Sequence, residues 1–262
     1  MNYRFIGAMI TCSIFGFGSY AGAQKPLPPP NQKADPQMKA VLRELARLAP
    51  TPLHTLSVTQ ARKRPGPPDA VKAVLVKQGK STAPMPVAKV TNSTVPGPAG
   101  DIPVRIYTPK RSGSDSGPMP ILVYFHGGGW VIAGIQAYDA SCRALANAAN
   151  CIVISVGYRM APEHRFPASH EDSYAATQYI IKNANIFGGD PMRVAVGGES
   201  AGGNLAGAVC LMAKQRGGKM PVYQLNVYPI ADYGQNTASY LENADAIPLS
   251  KAGMAWFFKH AL

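Results

Sequence analysis

Apolar and polar positions recur with different periods along this chain, and the change of period divides it. Met38, Val41, Leu42, Leu45 and Leu48 follow helical spacing behind Asp35, which can cap a helix opening at Pro36, and the pattern stops at Pro50. Further helices are predicted around residues 56–63 and 69–78, separated by Pro65-Gly66-Pro67-Pro68. From Val87 the pattern becomes β-like, with runs at residues 87–95 and 102–108 around a Pro96-Gly97-Pro98-Ala99-Gly100 turn, which predicts an antiparallel hairpin. Apolar runs at residues 121–125, 152–156, 194–196 and 225–228 then alternate with helical patterns at 138–149, 170–183 and 201–215. Alternating strands and helices, with strands apolar on both faces, predict a mostly parallel sheet covered by helices on both sides.

The head of the sequence follows a third pattern. Arg4 precedes residues 5–18, which are apolar or small apart from Thr11 and Ser13, and Ala21-Gly22-Ala23 closes the stretch. This is the layout of a signal peptide over residues 1–23. The run is shorter than the roughly 20 residues that span a bilayer, so export with cleavage and no lasting membrane anchor is expected, placing the protein in the periplasm or outside the cell. Pro26, Pro28, Pro29 and Pro30 make residues 24–34 an extended linker. Cys142, Cys151 and Cys210 remain after such cleavage, an odd number within apolar segments, which predicts packing as small hydrophobes.

Composition narrows the class. With 262 residues, 46% hydrophobic and 15% charged, the chain can bury one domain-sized core. The net charge of +12 is uneven, since residues 24–120 hold 15 Lys/Arg against 5 Asp/Glu and residues 121–262 hold 10 against 9. Arg62-Lys63-Arg64 stands without interleaved aromatics or a nucleic-acid motif, so a solvated basic face is expected and no nucleic-acid partner. The sequence shows no internal repeat and no metal-ligand cluster; neither metal nor cofactor is expected, and oligomeric state is not legible.

Candidate chemistry sits in two loops. Gly198-Glu199-Ser200-Ala201-Gly202 follows a short apolar strand and opens a helix rich in small residues. A sharp strand-to-helix turn with small residues on both sides lifts the serine hydroxyl out of the backbone and sets Ser200 at the positive end of a helix. The second loop begins 74 residues earlier, where Tyr124-Phe125-His126-Gly127-Gly128-Gly129-Trp130 leaves a strand. Consecutive glycines let backbone N–H groups turn into a cavity, which assigns Gly128, Gly129 and Ala201 as donors of an oxyanion hole around a Ser200 nucleophile. His126 and Gly127 are expected to support that loop, His126 through a ring hydrogen bond, and Glu199 to anchor the turn.

Together these segments resemble the bacterial hormone-sensitive-lipase-like esterases of the α/β-hydrolase superfamily. The resemblance runs from about Val87 onward and includes His126-Gly127-Gly128-Gly129-Trp130, Tyr158-Arg159-Met160-Ala161-Pro162-Glu163-His164, Phe166-Pro167-Ala168 and Gly198-Glu199-Ser200-Ala201-Gly202-Gly203-Asn204. It implies an α/β-hydrolase core over residues 81–262 and a cap formed from the helices of residues 35–80, with residues 248–262 as the start of a second cap segment. It also implies hydrolysis of a small-molecule ester through an acyl-enzyme. Glu199 stands where many members carry Asp, and either carboxylate can anchor the turn.

The same resemblance places a triad Asp and His on later loops, in the order Ser, acid, His. Only 62 residues follow Ser200, and Asp232, Glu242, Asp245 and His260 match neither position. Asp232 is expected as a loop residue and His260 as a solvated helix end, while His54, His164 and His170 are expected to be structural. A C-terminally truncated hydrolase lacking triad Asp and His, with little turnover and an uncovered sheet edge, is the expectation. A non-catalytic ligand-binding protein on a hydrolase fold is the alternative.

Overall fold

The computed structural model describes residues 34–111 and 117–262. The expected signal peptide and nearly all of the linker lie outside the described residues. Three helices open the described chain: α1 (Pro36–Leu48), α2 (Val58–Lys63) and α3 (Pro67–Lys77). Asp35 caps α1 by accepting from the Met38 N–H, with Pro36 in the first turn. Ser57 and Gln60 form a reciprocal capping box on α2. Helix α3 starts at Pro67, two residues before the predicted start, because prolines in a first turn forfeit only N–H groups that have no intrahelical acceptor. Helices α1 and α3 meet through Leu45, Ala49 and Ala70. Beside that contact Glu44 is buried, and hydrogen bonds from Arg47 and Lys77 hold its carboxyl down to about 2.

Strands β1 (Lys89–Gly97) and β2 (Gly100–Thr108) form the antiparallel hairpin, closed by Pro98-Ala99. After them come β3 (Met119–Phe125), α4 (Asp139–Ala149), β4 (Ile152–Val156), α5 (Ala168–Lys182), β5 (Gly189–Glu199), α6 (Ala201–Arg216) and β6 (Tyr223–Val227). Two further helices, α7 (Ala238–Glu242) and α8 (Lys251–Ala261), complete the described chain. The sheet runs β1-β2-β4-β3-β5-β6; β4, β3, β5 and β6 are mutually parallel, and β2 joins β4 antiparallel.

The period of two in β3 and β4 sorts their side chains between two cores. Ile121, Val123, Phe125, Ile152, Ile154 and Val156 face Ala176 and Ile180 of α5 and Leu205 and Val209 of α6. Leu122, Tyr124 and Val153 face Cys142 and Ala146 of α4. Both faces of the central strands are thus covered, and each fully buried branched side chain contributes on the order of 1.5–3 kcal/mol. Cys142 and Cys151 pack inside the second core as small hydrophobes, and all three described cysteines are free. Strand β6 is the exposed edge of the sheet: Tyr223 is 65% exposed, and among the described residues the strand pairs only with β5.

One correction concerns Arg62-Lys63-Arg64. Lys63 faces solvent, but Arg62 and Arg64 turn inward and donate to backbone carbonyls, Arg64 to Ala49. The carbonyls of loops that cannot enter a ladder compete with water for these guanidinium groups.

Candidate active site

Ser200 occupies the hinge between β5 and α6. Its φ of 55° and ψ of −119° lie in a region that non-glycine residues avoid, a strain that persists only where surroundings enforce it. They do so from three sides. The Ser200 N–H donates to Val227 O at the end of β6, while Ser200 O accepts from Ile230 N–H and Asn204 N–H. A Cβ on Gly202 would lie 2.0 Å from Phe125 O, so only glycine lets α6 begin this close to the end of β3. Ala201 is the first residue of a 16-residue helix, and its N–H has no acceptor within that helix.

The glycine loop after β3 is a closed turn. Gly127 O accepts from the ring Nδ1 of His126 at 2.7 Å. Gly128 O accepts from both Val131 N–H and Ile132 N–H at 3.0 Å, and Trp130 O accepts from Ala161 N–H at 2.9 Å. A trans peptide points its N–H opposite its C=O. Pinning the carbonyls of Gly127 and Gly128 therefore aims the N–H groups of Gly128 and Gly129 away from them. Neither of those N–H groups donates a hydrogen bond within the described residues.

His126 is buried, stacks on Tyr158 at 4.3 Å between centroids, and its carbonyl accepts from the Tyr158 hydroxyl at 2.7 Å. Burial pushes its ring down to about 4, only partly offset by the bond to Gly127, so it is neutral at pH 7 with the proton on Nδ1. The ring hydrogen bond within the loop is the one that its place in the sequence predicts.

Glu199 holds the turn from the other side. Its two oxygens accept from the hydroxyls of Tyr138 and Tyr228, at 2.5 and 2.7 Å. Burial and the bond to Glu199 push the Tyr228 phenol up to about 12. Gly127 lies against this pair, where a Cβ would sit 2.6 Å from the Tyr138 hydroxyl. Sequence reading missed both tyrosines, since no spacing ties positions 61 and 29 residues away to Glu199.

Residues 122–262 match the family described as alpha/beta hydrolase fold. The chain is 43% identical over 173 residues to the carboxylic ester hydrolase LipN of Mycobacterium tuberculosis, covering 64% of this chain and 45% of LipN. It is 44% identical over 161 residues to carboxylesterase NlhH of the same organism, covering 60% and 50%. This chain belongs to the hormone-sensitive-lipase-like α/β-hydrolases. An ester hydrolase from the metagenome of Lake Arreo superposes on this chain with a TM-score of 0.74 at 38% identity, covering 87% of this chain and 70% of that one. The chain spans about half the length of the curated relatives it matches.

The remaining candidate residues do not bond Ser200. His54, His164 and Asp232 are exposed, and His260 packs edge-on against Trp256 at 4.5 Å, half-buried rather than solvated. His170 binds Asn204 Oδ1 through Nε2 at 3.0 Å, and burial lowers its pKa below the usual histidine value. Among the described residues, no histidine or carboxylate forms a hydrogen bond with the Ser200 hydroxyl.

Helix α8 lies on the glycine loop. The ring of Phe257 fills the space where a Cβ on Gly129 would stand, 2.2 Å from its nearest carbon. Phe258 packs on Trp130, and Trp256 Nε1 donates to Leu56 O, just before α2.

Proposed function

We propose that this protein is a carboxylic ester hydrolase of the serine type, acting on small-molecule esters. Ser200 Oγ attacks the ester carbonyl, the N–H groups of Gly128, Gly129 and Ala201 receive the developing oxyanion, the alcohol leaves, and water releases the acid from the acyl-serine. One observation supports the reading: the glycine loop, whose Gly128 and Gly129 amides have no acceptor among the described residues, meets the start of α6 where Gly127 and Gly202 pack against Glu199 and Phe125, next to a serine held in a strained hinge. Each such donor is worth on the order of 10² to 10³ in rate. Relatives named as ester hydrolases support the same chemistry.

A serine hydroxyl is a weak nucleophile without a base to take its proton, and no base bonds Ser200 among the described residues. That observation favours the second reading, a binding protein that keeps the site and not the turnover. A fluorophosphonate probe separates the two: covalent labelling lost in Ser200→Ala is expected for the hydrolase, and a folded protein that takes no label would establish the binding protein. The pattern of residues 1–23 supports export, which predicts a mature N-terminus after Ala23 in protein recovered from the periplasm or medium.

A further inference from the structure

We propose that Arg62 is the positioning residue of the oxyanion loop, aiming its amides from the cap helix α2. The guanidinium has four acceptors on two loops. Nε donates to Val131 O at 2.8 Å, Nη2 donates to Ala161 O at 2.8 Å, and Nη1 and Nη2 take the two oxygens of Glu163 at 2.8 and 2.7 Å. Hydrogen bonds from Arg62 hold the Glu163 carboxyl down to about 2, so that carboxylate is ionised across the physiological range.

The transmission runs through planar peptides. Val131 O and Ile132 N–H belong to one peptide plane, and Ile132 N–H donates to Gly128 O. Gly128 O and Gly129 N–H belong to the next. Fixing the Val131 carbonyl from outside therefore fixes the direction of the Gly129 N–H two planes away. The grip on Ala161 O acts on the same loop from the neighbouring peptide, since Ala161 N–H, across the Cα, holds Trp130 O. Trp130 and Ala133 carry φ values of 61° and 69°, conformations that relax unless a surrounding structure enforces them. Arg62 is the group outside the loop that holds its Val131 carbonyl, and it reaches it across 69 residues of sequence. A lysine would keep the charge but could not span four acceptors, because only the planar fork matches two carbonyls and a carboxylate at once.

This inference rests on the esterase reading for its chemistry, and its test has two arms on the full chain. In hydrogen–deuterium exchange, Arg62→Lys is expected to speed exchange in residues 126–133 about 10-fold while the strands at 121–125 and 152–156 keep their protection. Unchanged exchange in the loop, or a rise spread equally over those strands, would overturn the positioning role. In fluorophosphonate capture at Ser200, the limiting rate is expected to fall about 100-fold in Arg62→Ala and about 10-fold in Arg62→Lys, with the half-saturating probe concentration unchanged. An equal capture rate in Arg62→Ala, or a loss confined to the half-saturating concentration, counts against it. If Arg62→Ala does not fold, the lysine variant decides alone. A wild-type chain that takes no probe defeats the esterase reading, and loop exchange in Arg62→Lys then decides whether the clamp exists.

Discussion

Burying His126 under Tyr158 fixes more than the loop. The ring is neutral when folded, with a pKa near 4, and titrates at the ordinary value near 6.5 when unfolded. Between those values the unfolded chain binds the extra proton, so acid favours unfolding, and stability is lost as pH falls from about 6.5 to about 4. The loss expected from this residue is about 3 kcal/mol. His170 and His260 are also lowered and add to the slope, so the measurement is a comparison. Urea unfolding of His126→Gln from pH 7 to pH 4.5 should give a visibly shallower decline than wild type, and equal slopes would refute the assignment. The ring hydrogen bond of His126 to its own loop was legible in the sequence because the residue adjoins three glycines. The partners of Glu199 and the targets of Arg62 were not. A tyrosine or arginine looks the same in a sequence whether its polar tip meets water or a carboxylate 61 or 101 residues away.

Helix and strand boundaries were most legible where burial is complete. Strand β4 was predicted to the residue, since all five of its side chains are buried. Strand β5 extends well before its predicted start, because Pro191, Met192 and Arg193 are exposed and, with Gly189 and Asp190, do not continue the buried apolar run that marks the strand. The contact between α8 and the glycine loop had no trace in the pattern; the apolar residues of α8 mark a buried helix without saying what it covers. That contact yields a prediction. Gly129→Ala would combine a positive φ, costing about 1–2 kcal/mol for an alanine, with a clash against Phe257. The expected result is a destabilised chain in which α8 lifts and Trp256 fluorescence shifts to longer wavelength. In a Phe257→Ala background the same change should cost only the backbone strain, and a double-mutant cycle with no coupling would contradict this packing.

The two edges of the sheet are treated differently. Strand β1 is rich in polar residues, with Lys89, Asn92, Ser93 and Pro96, which discourage pairing with another chain. Strand β6 has no such protection, and Met220, Val222, Tyr223 and Tyr228 are exposed at or beside it. Self-association at about 10–100 µM is therefore expected, and Tyr223→Lys should reduce it in light scattering without changing the far-ultraviolet circular dichroism. A monodisperse wild type, or scattering unchanged by the lysine, would show that this edge is guarded in another way. The expectation of helices on both faces of a mostly parallel sheet, read from alternating apolar runs, holds for β3, β4 and β5. Strand β6, which pairs only with β5 among the described residues, is exposed at the edge of the sheet.

The bond from Trp256 to the Leu56 carbonyl joins positions 200 residues apart. On a ribosome adding about 5–20 residues per second, the segment before α2 waits roughly 10–40 seconds before the indole that holds it has been made. The N-terminal helices are the first of the described residues to emerge and among the last to be locked. Until then Leu56 and the helices around it are open to chaperones and proteases, so the survival of the nascent chain depends on a residue made 200 positions later.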